Sequence, residues 1–309
     1  MALRFTFRQL EYFVAVGDAG SIALASQRIN VSSPSISSAI SQLETEFGLQ
    51  LFVRHHAQGL SLTPGGRQFF KAAKTILDNA AALSDITSEV SGEARGPLTF
   101  GALSTLAPLV TASVRRSFQA AFPFADVSVR EGNQSDLIQM IRRAEINVAL
   151  TYDLEIPNDV HFEPLATLPP IAILPADHPL AEREGLSLHD LREEAYILLD
   201  LPISRDYFLS LFQREGLKPK IVERTTQMTV SQSLVANGFG FALTNMHRLS
   251  DRAPDGGKLA YVPLVGDLRP MKFGLATNQA DHVSRVLSAF CEHVAQRVTA
   301  GSLPGLGVN

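Results

Sequence analysis

The hydrophobic period of this sequence changes once, close to residue 96, and that change most limits what the chain can fold into. Up to about Val90 the apolar residues recur at helical spacing, and a breaker-rich segment follows from Gly92 to Pro97. Beyond it, short apolar runs alternate with helical segments. Because 309 residues of 45% apolar composition exceed one small module, we expect several domains. We assign residues 1–63 to a head, 64–92 to a long linker helix and 93–309 to an α/β body.

The charge of the chain is uneven. Residues 1–75 carry seven basic and four acidic side chains, whereas the rest carries 20 basic and 27 acidic ones. This distribution favours contact between the head and a polyanion. The single Cys291 excludes an intramolecular disulfide and argues against cysteine-based zinc sites. No apolar run reaches the roughly 18 residues that span a bilayer, and Arg4, Arg8 and Glu11 do not fit a signal peptide, so we expect a cytoplasmic protein with no membrane partner.

Two short helical segments near the N-terminus are joined by a tight turn. The second begins after Ser32 or Ser33, either of which can cap it, and Pro34 lies in its first turn, where a missing N–H costs nothing. One side of this helix is apolar, and the other carries Ser35, Ser38 and Gln42. A helix-turn-helix of this kind lays its second helix in a DNA major groove, where hydroxyl and amide groups read base edges.

A wing is predicted after this pair of helices. Residues 49–54 and 60–63 can pair as two short strands, and Arg54 at the shoulder is suited to contact phosphate. His55 and His56 resemble metal ligands only in isolation, because adjacent strand residues point to opposite faces. We therefore predict solvated histidines and no metal site.

The linker helix carries a heptad pattern. Residues Phe69, Ile76, Leu83 and Val90 recur every seven positions, with Ala73, Ala80 and Thr87 between them. Such a narrow seam indicates a coiled coil of about three heptads and favours a homodimer. The alternative is a helix packed on its own domain.

The sequence of the body predicts strands that alternate with helices. Strand candidates lie at residues 98–103, 127–130, 146–152, 171–174, 196–199, 221–225, 240–244 and 273–277. This alternation predicts mainly parallel sheets covered by helices. We expect one lobe from about residues 97–168 and 269–300 and a second from about 169–268, with a ligand cleft at the carboxyl ends of the strands.

The N-terminal motifs resemble those of the LysR-type transcriptional regulators. The resemblance is carried by residues 7–16, 20–22, 31–37, 40, 43–44, 47–48, 51–54 and 62–66, and more weakly by 177–181 and 235–243. It implies a winged helix-turn-helix, a dimerising linker helix, a two-lobed α/β effector-binding domain like periplasmic binding proteins, and a bacterial homotetramer. It also implies DNA contacts at Ser32, Ser33, Pro34, Ser35, Ser37, Ser38, Gln42 and Arg54. The sequence departs from many relatives at Ser33, where they have Gln, and at Ser38 or Ser41, where they have a basic residue.

A ligand site is predicted at the loops facing the cleft. Leu103, Ser104 and Thr105 follow the first strand of the body and open a helix whose N-terminus favours an anion, although Ser104 can equally be a simple cap. The resemblance favours the ligand, with Asn133 on a facing loop. The other lobe contributes Pro202, Ile203, Ser204 and Gln227. Tyr152 either lines the hinge side or belongs to the core. Since these loops contain no lysine or arginine, a small acid with one carboxylate fits best.

The sequence therefore predicts a DNA-binding transcriptional regulator that responds to a small organic acid. Dinucleotide, phosphate-loop, zinc-protease and nucleophile-elbow motifs are absent, so we expect no enzyme, no cofactor and no catalytic residues. A homodimer with two DNA-binding heads requires double-stranded DNA with dyad-related half-sites as its partner. Two alternatives stay open: an enzyme with an added DNA-binding head, and a two-lobed protein that only binds a metabolite.

Overall fold

A computed structural model describes residues 4–55, 59–91, 93–246, 250–279 and 283–303 of the chain. Side chains at positions 54, 55, 78, 79 and 81–91 lie outside this description. The chain forms two compact units, residues 1–92 and 93–309. In the described residues, no helix combines the length and apolar character that crossing a membrane requires.

The first unit is a winged helix-turn-helix followed by a long helix. Its elements are α1 (Phe7–Ala19), α2 (Ile22–Ile29), α3 (Ser33–Phe47), the antiparallel strands β1 (Phe52–His55) and β2 (Gly59–Leu62), and α4 (Pro64–Ser91). Side-chain caps start the short helices, since Ser21 Oγ accepts from the N–H of Leu24 and Ser32 Oγ from that of Ser35. Phe13, Ile36 and Leu43 are fully buried at the centre. The predicted winged head is confirmed.

The first turns of α4 pack on the core of the head. The Phe69 ring lies 5.3 Å from that of Phe13 and 4.8 Å from that of Phe47, and Ala73 is buried beside them. Phe69 and Ala73 therefore contact the core of their own head, while pairing of the seam with a second chain stays a prediction. Heptad spacing alone could not distinguish packing within the chain from packing between chains. Ile76, seven residues after Phe69 and therefore on nearly the same face of α4, is 39% exposed.

The first lobe of the body is built on a five-stranded mixed sheet. Its strands are β3 (Gly96–Leu103), β4 (Ala125–Gly132), β5 (Val148–Tyr152), β6 (Val160–Leu168) and β12 (Met271–Asn278), in the order β4-β3-β5-β12-β6. Strand β3 is parallel to β4 and β5, and β12 is antiparallel to β5 and β6. The lobe also contains α5 (Ala107–Ala121), α6 (Gln134–Arg142) and α9 (Arg285–Thr299). Phe100, Phe118 and Phe290 meet in its core.

The second lobe contains β7 (Ile171–Pro175), β8 (Ala195–Leu199), β9 (Lys220–Thr225), β10 (Ala242–Thr244), β11 (Leu259–Pro263), α7 (Ser204–Arg214) and α8 (Met228–Ala236). Strand β7 pairs antiparallel with β10 and β11, whereas β8 and β9 are parallel. A parallel bridge between Tyr196 and Phe241 connects the two parts.

The prediction for the body was wrong in two respects. The sheets are mixed rather than mainly parallel, and strands β6 and β11 were not predicted. Strand β6 contains Pro164, and only its two end residues are buried, which weakens its pattern. It lies at the edge of its sheet, the position where a strand tolerates proline. Both missed strands pair antiparallel with a neighbour, which accounts for both corrections.

Candidate functional site

The polar side of α3 is exposed, as a DNA-reading helix requires. Ser35, Ser38 and Gln42 are all exposed, and the apolar side of the same helix is buried. Gln42 Oε1 accepts a 2.7 Å hydrogen bond from Nε2 of Gln9 on α1, which orients the Gln42 amide. Ser37 is half-buried and faces a groove between α3 and the wing. The sequence did not indicate the contact made by Gln9.

The other predicted DNA contacts lie at the start of α3 and on the wing. Ser32 is the cap, and its hydroxyl lies 2.7 Å from that of Ser35, while Ser33 is the first helical residue. Pro34 is exposed in the first turn. The backbone of Arg54 pairs with Leu60 in the wing, but its side chain lies outside the described part of the chain.

The Glu44 side chain connects α3 to the wing by hydrogen bonds, a role that the sequence did not indicate. Its Oε1 accepts hydrogen bonds from the backbone N–H of Leu51 at 2.8 Å and of Phe52 at 3.4 Å. Both donors lie at the start of β1. The carboxylate therefore sets the position of the wing relative to the polar side of α3.

A cavity lies between the two lobes of the body, and we call it the interlobe cavity. The first lobe contributes Thr105, Leu109, Tyr152 and Met271; the second contributes Leu199, Ser204, Phe208, Met228, Gln232, Thr244, Asn245 and Met246. None of these side chains carries a formal charge. The free volume is about 30 Å³, which holds one or two water molecules but no organic acid. The lobes must therefore separate before a larger ligand can enter.

Three of the predicted ligand residues line the interlobe cavity: Thr105, Tyr152 and Ser204. The structure places the others elsewhere. Leu103 is buried in the core of the first lobe, Pro202 and Gln227 are exposed, and Ile203 packs on the core of the body. Asn133 caps α6, where its Oδ1 accepts from the N–H of Asp136 at 3.0 Å.

Ser104 takes neither of its two predicted roles. It is exposed and does not line the interlobe cavity, and it does not cap α5. A three-residue turn separates β3 from α5, so the helix begins at Ala107, later than the sequence suggested. The N–H of Ser104 donates instead to the carbonyl of Gly132.

Sequence reasoning missed the amides of the interlobe cavity. Gln232 follows Met228 by four residues, which places both on one face of α8. Asn245 directly follows β10. The helical spacing could have indicated Gln232 once Met228 was placed in the cleft, whereas Asn245 becomes recognisable only when the lobes are assembled.

Three helices start at the interlobe cavity without a side-chain cap. Helices α5, α7 and α8 have no capping hydrogen bond, whereas α1, α2, α3, α6 and α9 begin at Thr6, Ser21, Ser32, Asn133 and Ser284, each of which accepts from a backbone N–H. Helix N-termini carry partial positive charge. At α7 the N–H groups of Ser204 and Arg205 already donate to the carbonyls of Pro202 and Leu201, and Pro108 in the first turn of α5 has no N–H, so these two helix starts contribute mainly their dipoles. The three starts together make this side of the cavity electropositive without a charged side chain among the described lining residues.

The backbone at one of these helix starts is strained. Ile203 has φ 70° and ψ −53°, and the N–H of Ser204 bonds the carbonyl of Pro202 at 2.8 Å, which closes a γ-turn. A β-branched residue pays a steric cost at positive φ, and such strain concentrates at ligand sites. The turn directs the Ser204 side chain into the interlobe cavity.

Tyr152 supplies a neutral phenol to the interlobe cavity. Burial raises its pKa well above the ordinary range, although a hydrogen bond with the Thr105 side chain partly opposes the shift. The hydroxyl therefore stays protonated.

Comparison with known proteins decides the family. Residues 7–67 match the bacterial regulatory helix-turn-helix protein model of the lysR family, and residues 91–299 match the LysR substrate binding domain. The chain belongs to the LysR-type transcriptional regulators. This LysR-type chain is 30% identical over 251 residues to the transcriptional regulator CbbR of Rhizobium meliloti, covering 79% of this chain and 78% of the relative.

Solved structures agree with this placement. HinK, a LysR family transcriptional regulator from Pseudomonas aeruginosa, is 31% identical with a TM-score of 0.64, covering 95% of this chain and 98% of HinK. Full-length CbnR in complex with its target DNA shares the fold at 24% identity and a TM-score of 0.56, covering 94% of this chain and 99% of CbnR. The predicted fold class and the prediction of a DNA-binding LysR-type regulator are confirmed.

Proposed function

We propose that this LysR-type regulator changes its DNA binding or its activation of transcription when a small organic acid occupies the interlobe cavity. The observation that carries the proposal is the convergence of the uncapped starts of α5, α7 and α8 with the hydroxyls of Thr105 and Ser204. Backbone N–H groups and hydroxyls at a helix N-terminus bind carboxylates. Since no described lining residue of the cavity is cationic, a second carboxylate would lose its hydration without a partner among them, which favours a monocarboxylate.

Ligand entry requires a change in the relation of the lobes, because the free volume is about 30 Å³. An effector that binds one lobe arrangement more tightly than another shifts the population toward that arrangement. We propose that this shift alters the spacing or bend that the paired heads impose on two half-sites of DNA.

The effector proposal is tested by calorimetric titration of the full chain with small monocarboxylates, matching dicarboxylates and the corresponding neutral amides. We expect a monocarboxylate to bind and to raise the melting temperature. Replacing Thr105→Val together with Ser204→Ala should weaken binding at least about a hundredfold, because each hydroxyl bond to a charged group contributes about 1.5–3 kcal/mol. Ser104→Ala, outside the cavity, is the matched control. Unchanged affinity in the double variant, or preference for the amides, would refute the site.

We propose that the exposed side of α3 reads base edges, while Ser32, Ser33, Pro34 and Ser37 position the helix start and Arg54 contacts phosphate. Gln42→Ala should shift base preference at one pair by about 1–3 kcal/mol. Arg54→Ala should weaken binding to all sequences alike and reduce the salt slope by roughly one unit or less. Binding measured on operator variants at several salt concentrations separates the two. A uniform loss in the Gln42 variant would contradict base reading.

We propose that two chains pair along the part of α4 beyond the head core. The exposed Ile76 supports this, and the sequence continues the seam at Leu83 and Val90, whose side chains lie outside the described part. A dimer should protect two dyad-related half-sites in footprinting, and protection of a single half-site would contradict it. Ile76→Lys should lower the mass measured by light scattering, whereas Thr75→Lys, which is exposed and lies about 100° around the helix from Ile76, should not.

Association of two such dimers into a homotetramer requires a second contact, and the body offers an apolar surface beside α8. Val230 and Phe239 there are 46% and 53% exposed. Phe239→Ser should convert tetramers into dimers in the same measurement. Persistence of the full mass would exclude this surface.

A further inference from the structure

Two amide oxygens of the interlobe cavity have no hydrogen-bond donor. Gln232 is 1% exposed and Asn245 is 4% exposed, and both line the cavity. Among the described residues, neither Gln232 Oε1 nor Asn245 Oδ1 has a partner. Buried polar atoms in folded proteins nearly always have one, so these two acceptors require an explanation.

The orientation of the Asn245 amide is fixed by its surroundings. Its Nδ2 donates to the carbonyl of Leu168 at 2.9 Å and to the hydroxyl oxygen of Tyr207 at 3.0 Å. Tyr207 in turn donates its only proton to the carbonyl of Arg269 at 2.7 Å, so its oxygen can only accept from Asn245. A rotated amide would set Oδ1 against two acceptors. Asn245 Oδ1 therefore remains the group without a donor.

The neighbouring side chains that the structure describes do not supply the missing donors. Gln232 Nε2 donates to the hydroxyl of Tyr261 at 3.0 Å, which leaves Oε1 as its free acceptor. Thr244 Oγ1 accepts from the N–H of Met246 at 3.1 Å and is engaged in its own local turn. The cavity thus offers hydroxyls and helix N-termini to an anion and, separately, two buried acceptors to a donor.

Resting on the proposed function, we propose that the effector is a small hydroxycarboxylic acid. Its carboxylate meets the side of the cavity formed by Thr105, Ser204 and the helix starts, and its hydroxyl donates to Asn245 Oδ1. Gln232 Oε1 is a second acceptor in the same cavity. An uncharged hydroxyl fits better than an ammonium group, because the described residues that line the cavity include no carboxylate to balance a desolvated positive charge.

The test is calorimetric titration of the full chain with matched sets of acids that differ at one group. One set is propionate, lactate, 2-methoxypropionate and alanine; another is butyrate, 3-hydroxybutyrate, 3-methoxybutyrate and 3-aminobutyrate; a third is benzoate with its 4-hydroxy, 4-methoxy and 4-amino derivatives. The methoxy compound keeps the oxygen but loses the donor. We expect the hydroxy acid of at least one set to bind about tenfold more tightly than its unsubstituted and methoxy partners.

Equal affinity within every set, or a preference for the amino acids, would overturn this inference. The proposed carboxylate site would still stand, and water would then be the donor to the two amide oxygens. Failure of every carboxylate to bind would instead remove the proposed function and this inference with it. The two results are distinguishable because the unsubstituted acids report on the carboxylate alone.

Variants of Asn245 and Gln232 test whether their amide oxygens cause the preference for a hydroxy acid over its methoxy counterpart. Asn245→Leu removes the acceptor and should bring the ratio of hydroxy to methoxy affinity close to one, whatever the variant does to the affinity common to all members of the set. Because this change also removes the contacts to Leu168 and Tyr207, Gln232→Met provides a second variant, which should reduce the same ratio. Thr105→Val should weaken all members of a set equally. An unchanged ratio in both amide variants would refute the assignment.

Discussion

The hydroxyl of Tyr207 joins the two lobes, and removing it should destabilise the body measurably. Tyr207 lies on α7 of the second lobe and is 5% exposed. Burial above all raises the pKa of its phenol to about 12, so the group is protonated and can donate. It donates to Arg269, which lies just before β12, and accepts from Asn245, which also binds the last residue of β6. This chain of hydrogen bonds spans both connections between the lobes.

Tyr207→Phe breaks two hydrogen bonds and leaves the Arg269 carbonyl and one Asn245 proton without partners. Because only one partner of each bond is removed, the expected loss is about 2–3 kcal/mol of unfolding free energy. For a unit of roughly 200 residues, each kcal/mol corresponds to about 2–4 °C. The melting transition of the body should therefore fall by roughly 4–12 °C. Since the chain contains no tryptophan, differential scanning calorimetry is the suitable measurement.

Tyr196→Phe is the matched control. Tyr196 is 1% exposed, and its hydroxyl makes no hydrogen bond within the described part of the chain, so its removal should change the unfolding free energy by less than about 0.5 kcal/mol. If Tyr207→Phe melted within 1 °C of the parent, or if both variants lost the same stability, the network would not connect the lobes as described.

Three further changes test the head and the body. Glu44→Ala removes the acceptor for the N–H of Leu51 and should lower the stability of the head by about 1–2 kcal/mol in urea unfolding. Gly66→Ala should destabilise the head by at least about 2 kcal/mol in the same assay, because its Cβ would clash with the backbone carbonyl oxygen of Leu51; normal stability would show that the backbone can shift. Hydrogen bonds from Ser187 lower the pKa of Asp190, so this carboxylate stabilises the fold above its unfolded-state pKa of about 3.9 and loses that effect in acid. Asp190→Asn should accordingly reduce stability at pH 7 and flatten its decline between pH 5 and pH 3, and an unaltered acid profile would contradict this.

The head was predictable because its signals are local. Ser32 before Pro34 specifies a helix start from neighbouring atoms alone, and the apolar stripe through Ile36 and Leu43 fixes which side is buried. The polar side of α3 could therefore be identified without knowing which residues pack against its apolar side. Phe69 shows the limit, since the same spacing serves a contact within the chain or between chains.

The site in the body was only partly predictable because its residues meet through the packing of the lobes. Thr105 and Ser204 follow strands, where loops lining a cleft are expected, and both line the interlobe cavity. Ser104 failed because the length of the turn after β3 depends on how α5 packs, which no local pattern reports. Asn245 is determined by contacts with residues 38 and 77 positions away in the sequence.

The two connections between the lobes leave and re-enter the first lobe at a single paired position. Leu168, the last residue of β6, lies opposite Met271, the first residue of β12, in an antiparallel ladder. Opposed α-carbons in such a ladder are about 4.5–5.5 Å apart, a gap that a two-residue turn can close. Topologically, the whole second lobe is an insertion at the tip of a β-hairpin. Excising residues 169–270 and joining the strands through Asn-Gly would convert a two-lobed receptor into a single-lobed domain without any other change of chain order.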